Sequence, residues 1–427
     1  MIWHFLSQPL AFVFFFFFKS IRVWNKSILN TPGPALLILN HPSAFTDPIA
    51  FTYVFYPLRT HYLAGGIYFR SSWAAFFLKQ LGIIPIYRIQ DGGKSGLKNN
   101  DITSARVIEA LKQGKKVMIF AEGVSVQDRR LKPIKKGAAR LAFEAQEALG
   151  TSPLHIIPIG VNYSDPSRFR SRLIYHIGEP ISVLQYLPAY RQQPAKAQYD
   201  MIQRIYQHLV SLVIHVEPAQ CQTVIPLVEK LLPQSTNTYD FNWRESKRRA
   251  DAFNTLTVVQ QEALEHKSLL YTKACLNHGL QEMYARQYPP YVPLITLVTL
   301  LCIGLLAWPG IMLHAPVIAI SRWYACNKVK HKEFYTSVLL TFVLGSGMVW
   351  YAVFFTLGYC YSGSVFIGFC TLIALLSFGI ISVGLIDLLR LQWQNWKWFR
   401  LKKSEQQYIL TLKTELLQAL KECGFVL

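Results

Sequence analysis

Between residues 30 and 200 short apolar runs alternate with amphipathic segments, the pattern of an α/β domain in which buried strands take turns with helices. Aliphatic and β-branched runs bounded by turn formers predict strands at 35–39, 61–64, 83–87, 117–120, 155–161 and 172–177. Pro48 predicts a helix over 48–56, because its fixed φ suits a first helical turn. Asp101 stands where a cap belongs ahead of the apolar face Ala105, Ile108 and Leu111, and Gly114 ends that helix. Another helix runs from about 137 through Leu141, Ala145 and Leu149 to Gly150. From 201 to 288 the pattern is helical and polar, broken at Pro218, Pro226 and Pro233, and predicts a connecting region of helices without chemistry.

A membrane domain is expected over 289–388. Residues 334–386 contain no Asp, Glu, Lys, Arg or His. As helix this stretch is roughly 80 Å long against a hydrocarbon core of about 30 Å, so it predicts two spans, about 336–358 and 364–387. Residues 287–321 also lack formal charge but are broken by Pro309 and Gly310, which predicts either a span or a re-entrant hairpin over 291–321. Arg322, Lys328, Lys330 and Lys332 lie on one side of the paired spans, and Arg390, Lys397, Arg400, Lys402 and Lys403 on the other, while 359–363 carries none. The positive-inside rule puts both basic segments in the cytoplasm, and makes 291–321 a hairpin if the amino-terminal domain is cytoplasmic too. Residues 389–427 then form a cytoplasmic amphipathic tail.

At the amino end the apolar run 10–18 is too short to span and is followed by no small-residue cleavage site, so no removable signal peptide is expected. Trp3, Phe5 and Phe14 to Phe18, next to Lys19, Arg22, Trp24 and Lys26, predict an interfacial membrane anchor over 1–29.

Composition narrows the partners. With 52% hydrophobic and 16% charged residues the chain is far from disorder and leans towards a membrane protein. Its net charge of +20 suits nucleic acid, an anionic lipid surface or a phosphorylated substrate. The long uncharged stretches select the lipid surface, and Lys247-Arg248-Arg249 reads as a solvated or lipid-facing helix surface rather than a nucleic-acid site. Seven cysteines with neither a CxxC pair nor zinc spacing predict no disulfide framework and no metal site.

The candidate chemistry begins where the first strand ends, at Asn40-His41-Pro42-Ser43-Ala44-Phe45-Thr46-Asp47-Pro48. Carboxyl ends of strands are where open α/β sheets do chemistry. Pro42 holds His41 extended, and a tight loop lets the Asp47 carboxylate face the imidazole. A histidine with one ring nitrogen held by a carboxylate can take a proton on the other, and its unperturbed pKa of about 6.5 suits a general base acting on an alcohol. Asp47 is alternatively a helix N-cap. Arg88 closes the strand Gly82-Ile83-Ile84-Pro85-Ile86-Tyr87 with a group suited to bidentate phosphate binding. Glu122 and Gly123 close the strand 117–120, and Arg129, Arg130, Lys132, Lys135, Lys136 and Arg140 follow within twelve residues, either an anion cradle at a helix start or an ordinary solvated loop. Ile156-Ile157-Pro158-Ile159-Gly160-Val161 reads as a buried strand. His61, His155 and His176 lie on strands without a suitably spaced carboxylate and are taken as structural.

In order, these four motifs resemble the lysophospholipid acyltransferase superfamily, the glycerol-3-phosphate and 1-acylglycerol-3-phosphate acyltransferases, over about 30–185. Most members separate the motif His and Asp by four residues; here there are five, as in the branch that resembles fungal glycerol-3-phosphate acyltransferases. The third motif, usually Phe-Pro-Glu-Gly-Thr-Arg-Ser, is Phe120-Ala121-Glu122-Gly123-Val124-Ser125-Val126, so its Arg is missing and the 129–140 cluster is assigned the phosphate instead. Arg130-Leu131-Lys132-Pro133-Ile134-Lys135-Lys136-Gly137 and Gly178-Glu179-Pro180-Ile181 match the family's continuation.

The resemblance implies a mixed sheet flanked by helices, followed by the helical region and a multi-span membrane domain. It implies that His41, oriented by Asp47, deprotonates a glycerol hydroxyl that attacks an acyl thioester of coenzyme A or acyl carrier protein. Arg88, Arg130, Lys135 and Lys136 would hold the acceptor phosphate, and Glu122 and Gly123 would position the glycerol moiety or reacting carbonyl. Neither a cofactor nor a metal is implied, and no serine near His41 sits in a nucleophile-elbow pattern. The expected product is phosphatidate from 1-acylglycerol-3-phosphate, with glycerol-3-phosphate as the alternative acceptor. The expected location is a multi-pass membrane protein with its catalytic domain on the cytoplasmic face and membrane lipid as partner. A catalytically silent lipid-binding protein of the same fold is the rival from another class, and a transporter is disfavoured because the predicted spans carry no ionisable residue to mark a substrate path.

Overall fold

The computed structural model describes residues 13–14, 16–58, 60–87, 100–231, 242–280 and 292–425. The chain forms two compact units: Met1–His215 with His331–Ser337, and Val216–Lys330 with Val338–Leu427.

The first unit is built on one eight-stranded sheet: β1 (Phe18–Trp24), β2 (Ala35–Leu39), β3 (Thr60–Gly65), β4 (Ile83–Ile86), β5 (Lys116–Phe120), β6 (His155–Tyr163), β7 (Ser171–Ile177) and β8 (Ile181–Ser182). Strand order is β1-β7-β6-β2-β5-β3-β4, with β8 on β6. Pairing is parallel except where β6 meets β7 and β8. Thus β2 runs through the middle, with Leu39 opposite Ile159 of β6 and Phe120 of β5. Its leucines and isoleucine are fully buried, and such burial contributes about 1.5–3 kcal/mol per side chain. Leu36 and Ile38 join the core formed with Val107, Leu111, Phe143, Ile205 and Leu209 from the helices Asn100–Lys112, Lys136–Leu149 and Pro194–Leu212. Alternation turns Leu37 and Leu39 to the other face.

Three expectations change here. Phe18–Trp24 is a strand paired with β7, and Phe14, Phe17 and Phe18 are buried, so this part of the chain is not an interfacial anchor. The aromatic block satisfies itself against protein: Phe14 stacks on Phe18 at 5.6 Å, and Phe18 lies 6.0 Å from Tyr163. The rest of the expected anchor, residues 1–12 and 15, lies outside the described residues. Next, the unit continues past 200 to His215. Asn162 donates to the Leu212 carbonyl and accepts from the Ile214 amide, and a side chain at Gly160 would overlap the Leu212 carbonyl. Finally, the helix after β2 is Thr46–Val54, two residues earlier than expected, with Phe45 rather than Asp47 as N-cap.

The second unit is helical: Val224–Leu231, Trp243–Asn254, Val258–Asn277, Val292–Lys328, the body of Lys332–Ser362, Val365–Phe399 and Lys403–Glu422. Three of these helices are long and apolar enough to cross a membrane. Of the two alternatives for 291–321, the described residues form the span-length one: Val292–Lys328 is one unbroken helix containing both Pro309 and Pro316. Side chains of neighbouring helices grip this helix close to its prolines: Ser382 donates to the Ala307 carbonyl and Trp350 to the Leu313 carbonyl. The claim that the spans lack ionisable residues fails at His314, whose Nδ1 meets the Gly310 carbonyl and whose Nε2 meets the Tyr351 hydroxyl. With both nitrogens engaged, His314 ties two helices together. The basic block divides: Arg248, paired with Glu245, is solvated as expected, whereas Lys247, paired with Asp251, is largely covered and Arg249 is buried 3.0 Å from Glu245.

Candidate active site

The site starts where β2 runs out. Asn40 extends the β2–β6 pairing by one rung with its side chain, accepting from the Val161 amide (2.7 Å) and donating to the Val161 carbonyl (3.0 Å). His41 follows, its ring stacked on Phe120 from the end of β5 with centroids 3.8 Å apart and planes 15° apart. Its Nδ1 lies 2.8 Å from Asp47 Oδ2. A carboxylate accepts, so Nδ1 carries the proton and Nε2 the lone pair. Among the described residues Nε2 has no hydrogen-bond partner.

Asp47 is fully buried, and three donors converge on it. Oδ2 accepts from His41 and from the Ser43 amide (2.8 Å), and Oδ1 accepts from the Tyr163 hydroxyl (2.8 Å). Its place in the first turn of a helix adds positive potential. Burial, then the adjacent Asp47 carboxylate, hold the Tyr163 phenol well above its ordinary value, which keeps it a donor. Tyr163 was not among the expected site residues. The strand reading stopped at Val161; continuing it two positions, by the period of a strand, would have put a tyrosine at the same sheet edge as His41.

Glu122 and Gly123 close β5 as expected, and Glu122 turns into the protein. It is 4% exposed, and it accepts from the His41 amide with Oε1 (3.2 Å) and the Lys132 amide with Oε2 (3.3 Å), bracing one motif loop against the other. Burial pushes it up to about 7, although both amide bonds pull it down. Gly123 turns with φ +71°, and a Cβ there would press on Lys135 at 3.3 Å. Ser125, at a motif position not singled out from sequence, accepts from the Ala44 amide (2.8 Å).

Of the six cations after Gly123, Lys132 pairs with Asp128, Arg140 pairs with Glu144, and Arg129 donates to the Ser164 carbonyl. Arg130, Lys135 and Lys136 carry no side-chain ion pair among the described residues, and Lys135 and Lys136 are exposed. Arg88 lies outside the described residues; Tyr87 before it is held through both backbone groups by Asn100. His61 meets the Gly82 carbonyl, and His176 packs against Trp24. Burial, with Lys116 adding to it, lowers His155 at the opposite end of β6.

A buried carboxylate, an oriented imidazole and a fringe of cations thus lie at the carboxyl edge of the sheet. Residues 20–162 match the family model described as Acyltransferase, and over this region the chain is similar to glycerol-3-phosphate and 1-acylglycerol-3-phosphate acyltransferases. Glycerol-3-phosphate O-acyltransferase 1 of Saccharomyces cerevisiae is 25% identical over 250 residues, covering 53% of this chain and 31% of that protein. The 1-acyl-sn-glycerol-3-phosphate acyltransferase of Bacillus subtilis is 28% identical over 168 residues, covering 38% of this chain and 73% of that protein. The chain spans about a third of the length of the fungal relatives it matches. Among solved structures, the 1-acyl-sn-glycerophosphate (LPA) acyltransferase of Thermotoga maritima matches at 14% identity with a TM-score of 0.30, covering 48% of this chain and 78% of that one.

Proposed function

We propose that this protein transfers a fatty acyl group from an acyl thioester to the free hydroxyl of 1-acylglycerol-3-phosphate. The observation that carries the proposal is the His41–Asp47 pair, in which a fully buried carboxylate fixes one imidazole nitrogen and the other has no partner among the described residues. Nε2 takes the proton of the acceptor hydroxyl as its oxygen bonds to the thioester carbonyl carbon. Collapse of the tetrahedral species breaks the carbon–sulfur bond, and the same proton passes from Nε2 to the leaving thiolate. General-base help of this kind gives about 10²–10⁴ in rate, so holding the reactants in place supplies much of the remainder. Arg130, Lys135 and Lys136, with Arg88, take the acceptor phosphate. The step needs no metal or redox cofactor, and the thioester is carried by coenzyme A or acyl carrier protein. The catalytic unit works on the cytoplasmic side, where such thioesters are made, with the apolar helices in the membrane.

The second acceptor is glycerol-3-phosphate, favoured by the yeast match, which extends over 250 residues against 168 for the Bacillus one. The test is acyl transfer by the purified full chain in detergent, with each acceptor offered separately beside an acyl thioester, and with His41→Ala alongside. Transfer to 1-acylglycerol-3-phosphate that disappears in the variant is expected. Transfer to glycerol-3-phosphate alone would correct the acceptor. Absence of transfer to both would leave the silent lipid-binding protein.

A further inference from the structure

One short segment from late in the chain belongs to the catalytic unit. His331–Ser337, which includes the first turn of the apolar helix Lys332–Ser362, is grouped with residues up to 215, and its contacts fall on three loops at the carboxyl edge of the sheet. Ser337 Oγ accepts from the Thr46 amide at 3.1 Å and lies 3.1 Å from Thr46 Oγ1. Phe334 meets the Phe45 ring edge-on at 5.8 Å. Thr336 Oγ1 donates to the Pro166 carbonyl (2.7 Å), in the loop after β6. The Gln127 amide donates to the Lys332 carbonyl (2.9 Å), in the loop after β5.

The Thr46 bond matters most. The first amides of a helix have no partner within it, and Phe45 supplies no side-chain cap to Thr46–Val54. Thr46 is 1% exposed, so water is no substitute and an unmatched amide there would be costly. Ser337, 291 residues away, is the cap. Thr46 immediately precedes Asp47, and the loop leading to it includes Ala44 at φ +23°, an unfavourable conformation for a residue with a side chain. Ser125 holds that loop at Ala44 and Ser337 holds it at Thr46.

We propose that His331–Ser337 is a positioning strap for the His41–Asp47 pair, with Ser337 setting Asp47 through Thr46. The kinetic half of this proposal rests on the acyl-transfer reading; the structural half does not. The experiment is amide hydrogen exchange on the full chain in detergent, comparing the parent with Ser337→Ala and Ser337→Thr, together with their acyl-transfer kinetics. In Ser337→Ala, exchange across 43–50 rises about tenfold, the size of losing one helix cap, while β2 and β6 keep their protection. kcat falls about tenfold with KM within twofold, and the hydroxyl of Ser337→Thr restores both. Unchanged exchange across 43–50 overturns the proposal whatever the activity, and faster exchange with unchanged kcat overturns the positioning role. A parent that transfers to neither acceptor defeats the acyl-transfer reading and leaves exchange to decide the strap. If Ser337→Ala loosens the whole sheet, Gln127→Ala replaces it, with faster exchange confined to 43–50 and 331–337 expected and no change overturning the idea.

Discussion

Asp47 has no exposure to water, so every lone pair that its partners abandon stays unsatisfied. Tyr163→Phe keeps the ring and removes one donor from Oδ1. A hydrogen bond to a charged group is worth about 1.5–3 kcal/mol, so kcat should fall between about tenfold and a hundredfold with KM little changed, and steady-state kinetics on the two proteins would show it. Equal kcat values would mean that Tyr163 only fills space. Glu122 gives a second prediction with a definite sign. Its ordinary value is 4.5 and burial raises it to about 7, so between those pH values the folded chain binds a proton that the unfolded chain does not. The stability it contributes is full below about 4.5 and is lost as pH rises through about 7, on the order of 3 kcal/mol in all. Melting midpoints of the parent should therefore drop more than those of Glu122→Gln between about pH 5 and about pH 8, and parallel curves would sink the idea. The two residues differ in how far they could be read from the chain. His41 and Asp47 are six positions apart, and a local loop with two prolines announces them. Tyr163 reaches Asp47 only because β6 lies beside β2, a pairing across more than a hundred residues that no local pattern encodes.

At the scale of elements, the six strands read from hydropathy all form; β2, β5 and β6 are the plainest, because a run buried on both faces is largely apolar and stands out between turns. β1 escaped notice for the opposite reason: FKSIRVW mixes cations with apolar residues, as a strand at the edge of a sheet can. Pro309 and Gly310 left a span and a hairpin both open, and the structure takes the continuous helix. Gly310 serves packing: a Cβ there would overlap the Phe378 carbonyl and Ser382 Oγ. Gly310→Leu should therefore separate Val292–Lys328 from Val365–Phe399 and cost about 1–3 kcal/mol or more, as overpacking does. Gly304, on the same helix with open space around it, supplies the control, and Gly304→Leu should melt in detergent like the parent. Similar losses in both variants would show that glycine matters there for backbone reasons and that the contact with Ser382 does not decide.

The whole molecule carries +20, and the placement of three of those charges turns a compositional fact into a prediction. Net charge pointed to an anionic partner but not to a place on the surface. The six cations after Gly123 looked alike in sequence, and the fold separates them by engaging Arg129, Lys132 and Arg140. Sequence order likewise hid the unit boundary, since His331–Ser337 joins residues up to 215 through contacts over 170 to 291 positions. On the proposed reading Arg130, Lys135 and Lys136 hold the acceptor phosphate through partly solvated charge, which salt screens: the Debye length falls from about 10 Å at 0.1 M to about 3 Å at 1 M. For the protein reconstituted in vesicles, raising salt from about 0.05 M to about 0.5 M should raise KM for the phosphate-bearing acceptor severalfold and leave kcat nearly constant. Replacing all three by Gln should raise KM at low salt and flatten that dependence, because the charges being screened are gone. If the triple variant keeps the parent's salt slope, the phosphate is held elsewhere, and Arg88 becomes the residue to replace next.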